Sequence, residues 1–144
     1  MDPRQLVHER VREYYWAHDW NCAVTTLRIL AELFEVRLDR QVLDAALGMH
    51  GAGGYRAQCG LVEGALMFIG VGGKAQGLDH EAVVKACYDF AEQFEEQFGS
   101  LLCRDLRPGG FSPDDPPHLC EELTRETLMF DVSFVSEWME RSKS

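Results

Sequence analysis

With 144 residues, 24 acidic against 14 basic side chains and a formal net charge of −10, the chain is sized for one domain around one core. Its long-range field repels polyanions, so nucleic acid is not an expected partner. No stretch approaches the roughly 20 apolar residues that span a bilayer, and Met1-Asp2-Pro3-Arg4-Gln5 lacks the basic start and apolar run of a signal peptide. A cytoplasmic protein without a membrane partner is the expectation.

Asp2-Pro3 reads as an N-cap followed by proline at the first helical position, which predicts a first helix to about His18. Asn21 predicts the cap of a second helix, with Cys22 in its first turn and Thr26, Ile29 and Leu33 on the same face. Asp39 caps a shorter helix through Leu47, ended by Gly48, and Met49 to Gly54 is too glycine-rich to prolong it. From Ala57 to Ile69 the apolar residues suit a buried helix that begins around Cys59 and stops in Gly70-Val71-Gly72-Gly73.

Asp79 caps what reads as the longest helix, where Val83, Cys87, Phe90, Phe94 and Phe98 form an apolar stripe opposite Lys85, Asp89, Glu92 and Glu96. Gly99 breaks it just before Cys103. The run from Arg107 to Pro117 carries four prolines, which remove donors and restrict their predecessors, so it reads as a loop that delivers Cys120. Glu121 through Trp138 is helical in composition, although the alternation from Phe130 to Phe134 admits a strand. The whole predicts an all-α fold, a compact single-domain bundle (1–144) of about five to seven helices.

Five cysteines in a reducing compartment read as metal ligands, redox thiols or core fillers rather than structural disulfides. Cys87, on the Val83, Phe90 and Phe94 stripe, reads as a core filler. The other four lie in marked contexts: Asn21-Cys22-Ala23, Cys59-Gly60-Leu61-Val62-Glu63-Gly64, Phe98-Gly99-Ser100-Leu101-Leu102-Cys103, and Cys120 beyond the proline loop. This order and context resembles the redox-active C_GCAxxG_C_C family and the related N-terminal region of split-Soret cytochrome c, over about Asn21 to Cys120. The resemblance implies a small, mostly helical, intracellular protein with a redox role, and a cysteine-bound iron-sulfur cluster in relatives of the cytochrome.

Cys22 and Cys59 fall at predicted helix N-termini and Cys103 and Cys120 beside helix breaks, where unpaired N–H groups and the helix dipole stabilise a thiolate and lower its pKa. In the cluster reading Cys22, Cys59, Cys103 and Cys120 each ligate iron, and Gly60 and Gly64 allow close backbone approach. The spacings of 37, 44 and 17 residues contain no C-x-x-C knuckle of the kind zinc sites and most ferredoxins use. In a second, metal-free reading Cys59 is the attacking thiol and Cys22, Cys103 or Cys120 resolves a disulfide, with Glu63 four residues on as a proton acceptor or a pKa-raising neighbour. A third reading is a noncatalytic helical interaction protein with buried thiols.

Other motifs fall away. Gly70 to Ala75 is not a phosphate loop, since Phe68 and Ala75 occupy positions that need glycine and Ser or Thr. No HExxH, CxxCH or GxSxG occurs, so neither a zincin site, covalent haem nor a serine nucleophile elbow is expected. His50 and His118 read as an accessory ligand of low odds and an exposed loop histidine, and Glu92, Glu95, Glu96, Glu121 and Glu122 as solvated surface. Tyr14, Tyr15, Trp16 and Trp20 are dense enough for a core edge or an oligomer contact, which makes a homodimer the expected assembly. The redox reading makes a redox protein the expected partner.

Overall fold

Asp2 accepts a hydrogen bond from Arg4 N at 3.4 Å and Pro3 opens α1, Pro3–Arg12. The computed structural model describes residues 2–143. Helix α1 runs into a π-helical turn, Glu13–Ala17, that carries Tyr14 and Tyr15 inward. Asn21 Oδ1 accepts from Val24 N at 2.9 Å and starts α2, Cys22–Leu33, as its cap chemistry requires. Helix α3, Arg40–Ala45, stops short of Leu47, and the chain then turns through one left-handed turn at Gly51–Gly54.

Helix α4, Gly60–Ala75, is the central element and continues through the glycines expected to end it. Gly72 and Gly73 serve packing. A Cβ at Gly73 would stand 2.8 Å from Val83 Cγ2 and 3.1 Å from Trp138 Cη2, and one at Gly72 would meet Phe68 and Met139. Removing the side chain lets the helices that carry Val83 and Trp138 close on α4, and burial of their side chains outweighs the low helical propensity of glycine.

Asp79 accepts from Ala82 N at 2.8 Å to open α5, His80–Phe98, and Gly99 ends it in the left-handed conformation (φ 89°). After the short α6, Cys103–Leu106, and an irregular stretch from 107 to 120, α7 covers Glu121–Ser142. At 22 residues α7, not α5, is the longest helix, and its helical state includes Phe130 to Phe134. The alternation there serves a helix because Phe130 and Phe134, one turn apart, both pack on Phe90, with ring centroids 5.6 and 5.3 Å away. The fold is all-α; an isolated bridge between Gln58 and Leu102 is the sole β-type pairing among the described residues. No helix among them is long and apolar enough to cross a membrane.

Candidate functional site

All four motif cysteines stand at helix starts. Cys22 is the first residue of α2, Cys59 the N-cap of α4, Cys103 the first residue of α6 and Cys120 the N-cap of α7. Two short pairings bring the middle two together: Cys59 N donates to Leu101 O and Cys103 N to Ala57 O, both at 2.8 Å. Helix packing brings in the first. A Cβ at Gly60 would overlap Cys22 Sγ and lie 2.9 Å from Ala23 N, and one at Gly64 would lie 2.5 Å from Ala23 O. The two glycines, one helical turn apart, thus let α4 approach α2 and seat the Cys22 sulfur on the start of α4.

Cys22, Cys103 and Cys120 line one cavity of about 300 Å³, and Cys59 is buried beside them at 5% exposure. Each of the four thiols lies within electrostatic reach of the other three, since ionising any one disfavours ionising the rest. Cys87 stands apart on α5, half-buried, its Sγ 4.0 Å from Leu66 O, as a core filler should. All five cysteines are free thiols.

The expectation of lowered thiol pKa values is overturned. Burial pushes Cys59 up to about 12, although the N–H groups of Leu61 and Val62 at the start of α4 pull the other way. Cys22 is raised further, first by burial and then by Cys59, Cys120 and Cys103. Cys103 and Cys120 are also raised by burial, against the opposing pull of Arg107 on both and of Arg56 on Cys103. The helix-terminal donors are present, but loss of water costs these thiolates more than the donors return. Glu63 is occupied by a hydrogen bond from Gln58 Nε2 rather than turned to the thiol.

His118 is not an exposed loop histidine. Its side chain is 14% exposed, stacked on Tyr15 with centroids 4.7 Å apart, edge-on to Trp16, and paired through Nε2 with Asp19 Oδ1 at 2.8 Å. It lines the cavity, as does His50, whose Nδ1 is buried without a hydrogen-bond partner. Tyr15 Oη is 2.6 Å from Thr124 Oγ1, which donates to Cys120 O at 2.8 Å. Sequence reasoning assigned the aromatics Tyr14, Tyr15, Trp16 and Trp20 to a core edge or an oligomer contact; Tyr14 and Tyr15 are in the core and Trp20 packs against it, and Tyr15 and Trp20 also wall the cysteine cavity. The signal was the density of aromatics directly before Cys22. Arg107 and Phe111, which line it, and Arg56, stacked on Phe111, were missed, because nothing in their local sequence marks them. Glu92, Glu95 and Glu96 are exposed, as expected.

Among the described residues no three His, Cys, Asp or Glu side chains converge closely enough to hold a single metal ion. A mononuclear zinc site would need every sulfur about 2.3 Å from one point. An iron-sulfur cluster is a larger body whose thiolates are spread over two or four irons, so its ligands stand further apart. Four thiols around a roomy cavity, with backbone N–H groups and two arginines beside them, have the donor chemistry for such a cluster.

No curated protein and no solved structure matches the chain. Residues 20–131 match the family described as "Putative redox-active protein (C_GCAxxG_C_C)", a span that holds every motif cysteine and the whole cavity wall except Tyr15 and Asp19. With its four cysteines in the order of that motif and gathered around one cavity, the chain belongs to the C_GCAxxG_C_C family.

Proposed function

We propose that the protein is a redox protein whose Cys22, Cys59, Cys103 and Cys120 ligate an iron-sulfur cluster used for electron transfer or redox sensing. The observation that carries this reading is the gathering of four protonated thiols, Cys59 buried and the other three partly so, at four helix N-termini. A thiol held neutral by burial is a poor nucleophile at neutral pH, but a metal displaces the proton directly and binds the thiolate. Backbone N–H groups at the helix starts then act as donors to ligand sulfur, and Arg56 and Arg107 offset negative charge. Bound there, a cluster supplies one-electron chemistry.

The metal-free dithiol reading needs an accessible, acidic leading thiol, whereas Cys59 is 5% exposed and raised to about 12. A helical interaction protein with scattered buried thiols does not account for their shared cavity. The proposal includes a cytoplasmic setting, where free thiols persist, a redox protein as electron source or sink, and a homodimer as the assembled form. Trp16, 55% exposed and edge-on to His118, is the surface it offers to either.

The test is iron, zinc and acid-labile sulfide content with a visible spectrum, on protein purified without oxygen, for the wild type and Cys59→Ser. Iron and sulfide present together, and lost together in the variant, support the cluster. A colourless, metal-free wild type would overturn it.

A further inference from the structure

We propose that Arg56 and Arg107, held on the ring of Phe111, make the mouth of the cysteine cavity selective for small anions, so that the substrate admitted there is a small anion. This inference rests on reading that cavity as the redox site and names its substrate class. Phe111 and Arg107 line the cavity, and both guanidinium groups stack on the Phe111 ring, with Arg56 Cζ 4.0 Å and Arg107 Cζ 4.7 Å from its centroid. Arg107 Nε also donates to Gly110 O at 3.1 Å, which fixes the stem of the loop that presents Phe111.

The carboxylates nearby are already engaged. Asp115 pairs with Arg107 Nη2 at 3.2 Å and accepts from Ser112 N at 2.9 Å, and Asp19 pairs with His118 at 2.8 Å. Arg56 has no ion-pair partner among the described residues and is exposed, so its charge is available to a solute approaching Phe111. Arg56 thus sets an unpaired cation over the ring of a wall residue of the sulfur-lined cavity, in a chain of net charge −10. The wall also includes Tyr15, Trp20, the imidazoles of His50 and His118, and the one carboxylate of Asp19, and its 300 Å³ suits a small molecule rather than a peptide.

Arg56 is held where it is by an unusual backbone. Its φ is 74°, and it follows the left-handed turn in which Ala52 has φ 59° and ψ 61°. A non-glycine residue in that region carries strain of about 1 kcal/mol or more, which persists only where surroundings fix it. Here the fixing contacts include Ala57 N donating to Gly51 O at 3.1 Å and the stacking on Phe111.

The test compares two alkylating probes of nearly equal size on the reduced, chelator-treated full chain. Iodoacetate is an anion and iodoacetamide is neutral; with either, the cysteine thiolate forms an S–C bond as the C–I bond breaks, iodide leaves, and the thiol proton goes to solvent. Rates are read by mass spectrometry at Cys103, Cys120 and Cys87. The ratio of the two rates cancels the thiolate population and leaves the selectivity for charge. The ratio at Cys103 and Cys120 is expected to exceed that at Cys87 and to fall about threefold in Arg56→Gln, the effect of one unit charge several ångströms away in a water-like medium. High salt should remove the same difference in the wild type. A ratio at Cys103 and Cys120 equal to that at Cys87, or unchanged in Arg56→Gln, overturns the inference. Because thiols are read in metal-free chain, the result stands apart from the iron and sulfide content that tests the cluster.

Discussion

The sulfur of Cys22 occupies the space where Gly60 would carry a Cβ, so the first motif cysteine rests directly on the first turn of the helix that the second one caps. This joins two sites 38 residues apart in sequence through one missing methyl group. The conservative change Gly60→Ala therefore forces either Cys22 or α2 to move, since Ala23 N is also only 2.9 Å from the new carbon. Overpacking of this kind destabilises by about 1–3 kcal/mol. Gly70, on the same helix with nothing within 4 Å of its Cβ position, supplies the control: Gly70→Ala should stabilise by about 0.5–1 kcal/mol through helix propensity. Urea unfolding of both variants measures the contrast, and equal effects would show that Gly60 is not a packing requirement.

Reactivity of Cys59 should depend on pH in a defined way. Its thiol, pushed up to about 12 by burial, is protonated throughout the physiological range, and the thiolate fraction in folded, metal-free protein rises about tenfold per pH unit until that value is reached. Iodoacetamide labelling of Cys59 at pH 8 should be at least a hundredfold slower than in urea-unfolded chain. Labelling at comparable rates in both states would restore Cys59 as a candidate attacking thiol.

The hydroxyl of Tyr15 links the π-helical turn to the last motif cysteine through Thr124. Tyr15→Phe removes the 2.6 Å bond but leaves Thr124 Oγ1 with Cys120 O at 2.8 Å, so about 1 kcal/mol of stability is lost. Thr124→Val removes both bonds and should be the more destabilising of the two. Denaturant titration of the two variants checks the order; a reversed order would place the energetic weight on the tyrosine alone.

The helices were legible where their signals are local. Asp2, Asn21 and Asp79 cap with their own side chains, and Gly99 closes α5 because a left-handed residue is needed there. The end of α4 was not legible, because Gly70, Gly72 and Gly73 read as breakers until Val83 and Trp138 are seen to need the space at Gly73. The site divides in the same way. The order of the four cysteines points to a sulfur centre from sequence alone, and each lies at a helix start as expected for two of them. Their high pKa values depend on how much water the assembled fold removes, and His118 owes its burial to Tyr15, more than 100 residues away in the chain. Neither is encoded locally.

Asp131 gives the last prediction. It is fully buried in the middle of α7, neither carboxylate oxygen has a hydrogen-bond partner among the described residues, and desolvation holds its carboxyl well above the usual range. The folded state therefore keeps a proton that the unfolded chain releases near pH 4. Because the native state binds more protons, this group makes stability fall as pH rises from about 4 toward the folded pKa, by up to about 1.4 kcal/mol per unit. Asp131→Asn keeps the shape and cannot ionise, so it should be more stable than wild type at pH 7, and the gap should narrow as pH falls toward 4. Urea unfolding of both proteins at pH 4.5, 6 and 7.5 measures this. A gap that is constant across the three values would mean that Asp131 is ionised in the fold and has a partner not seen among its neighbours.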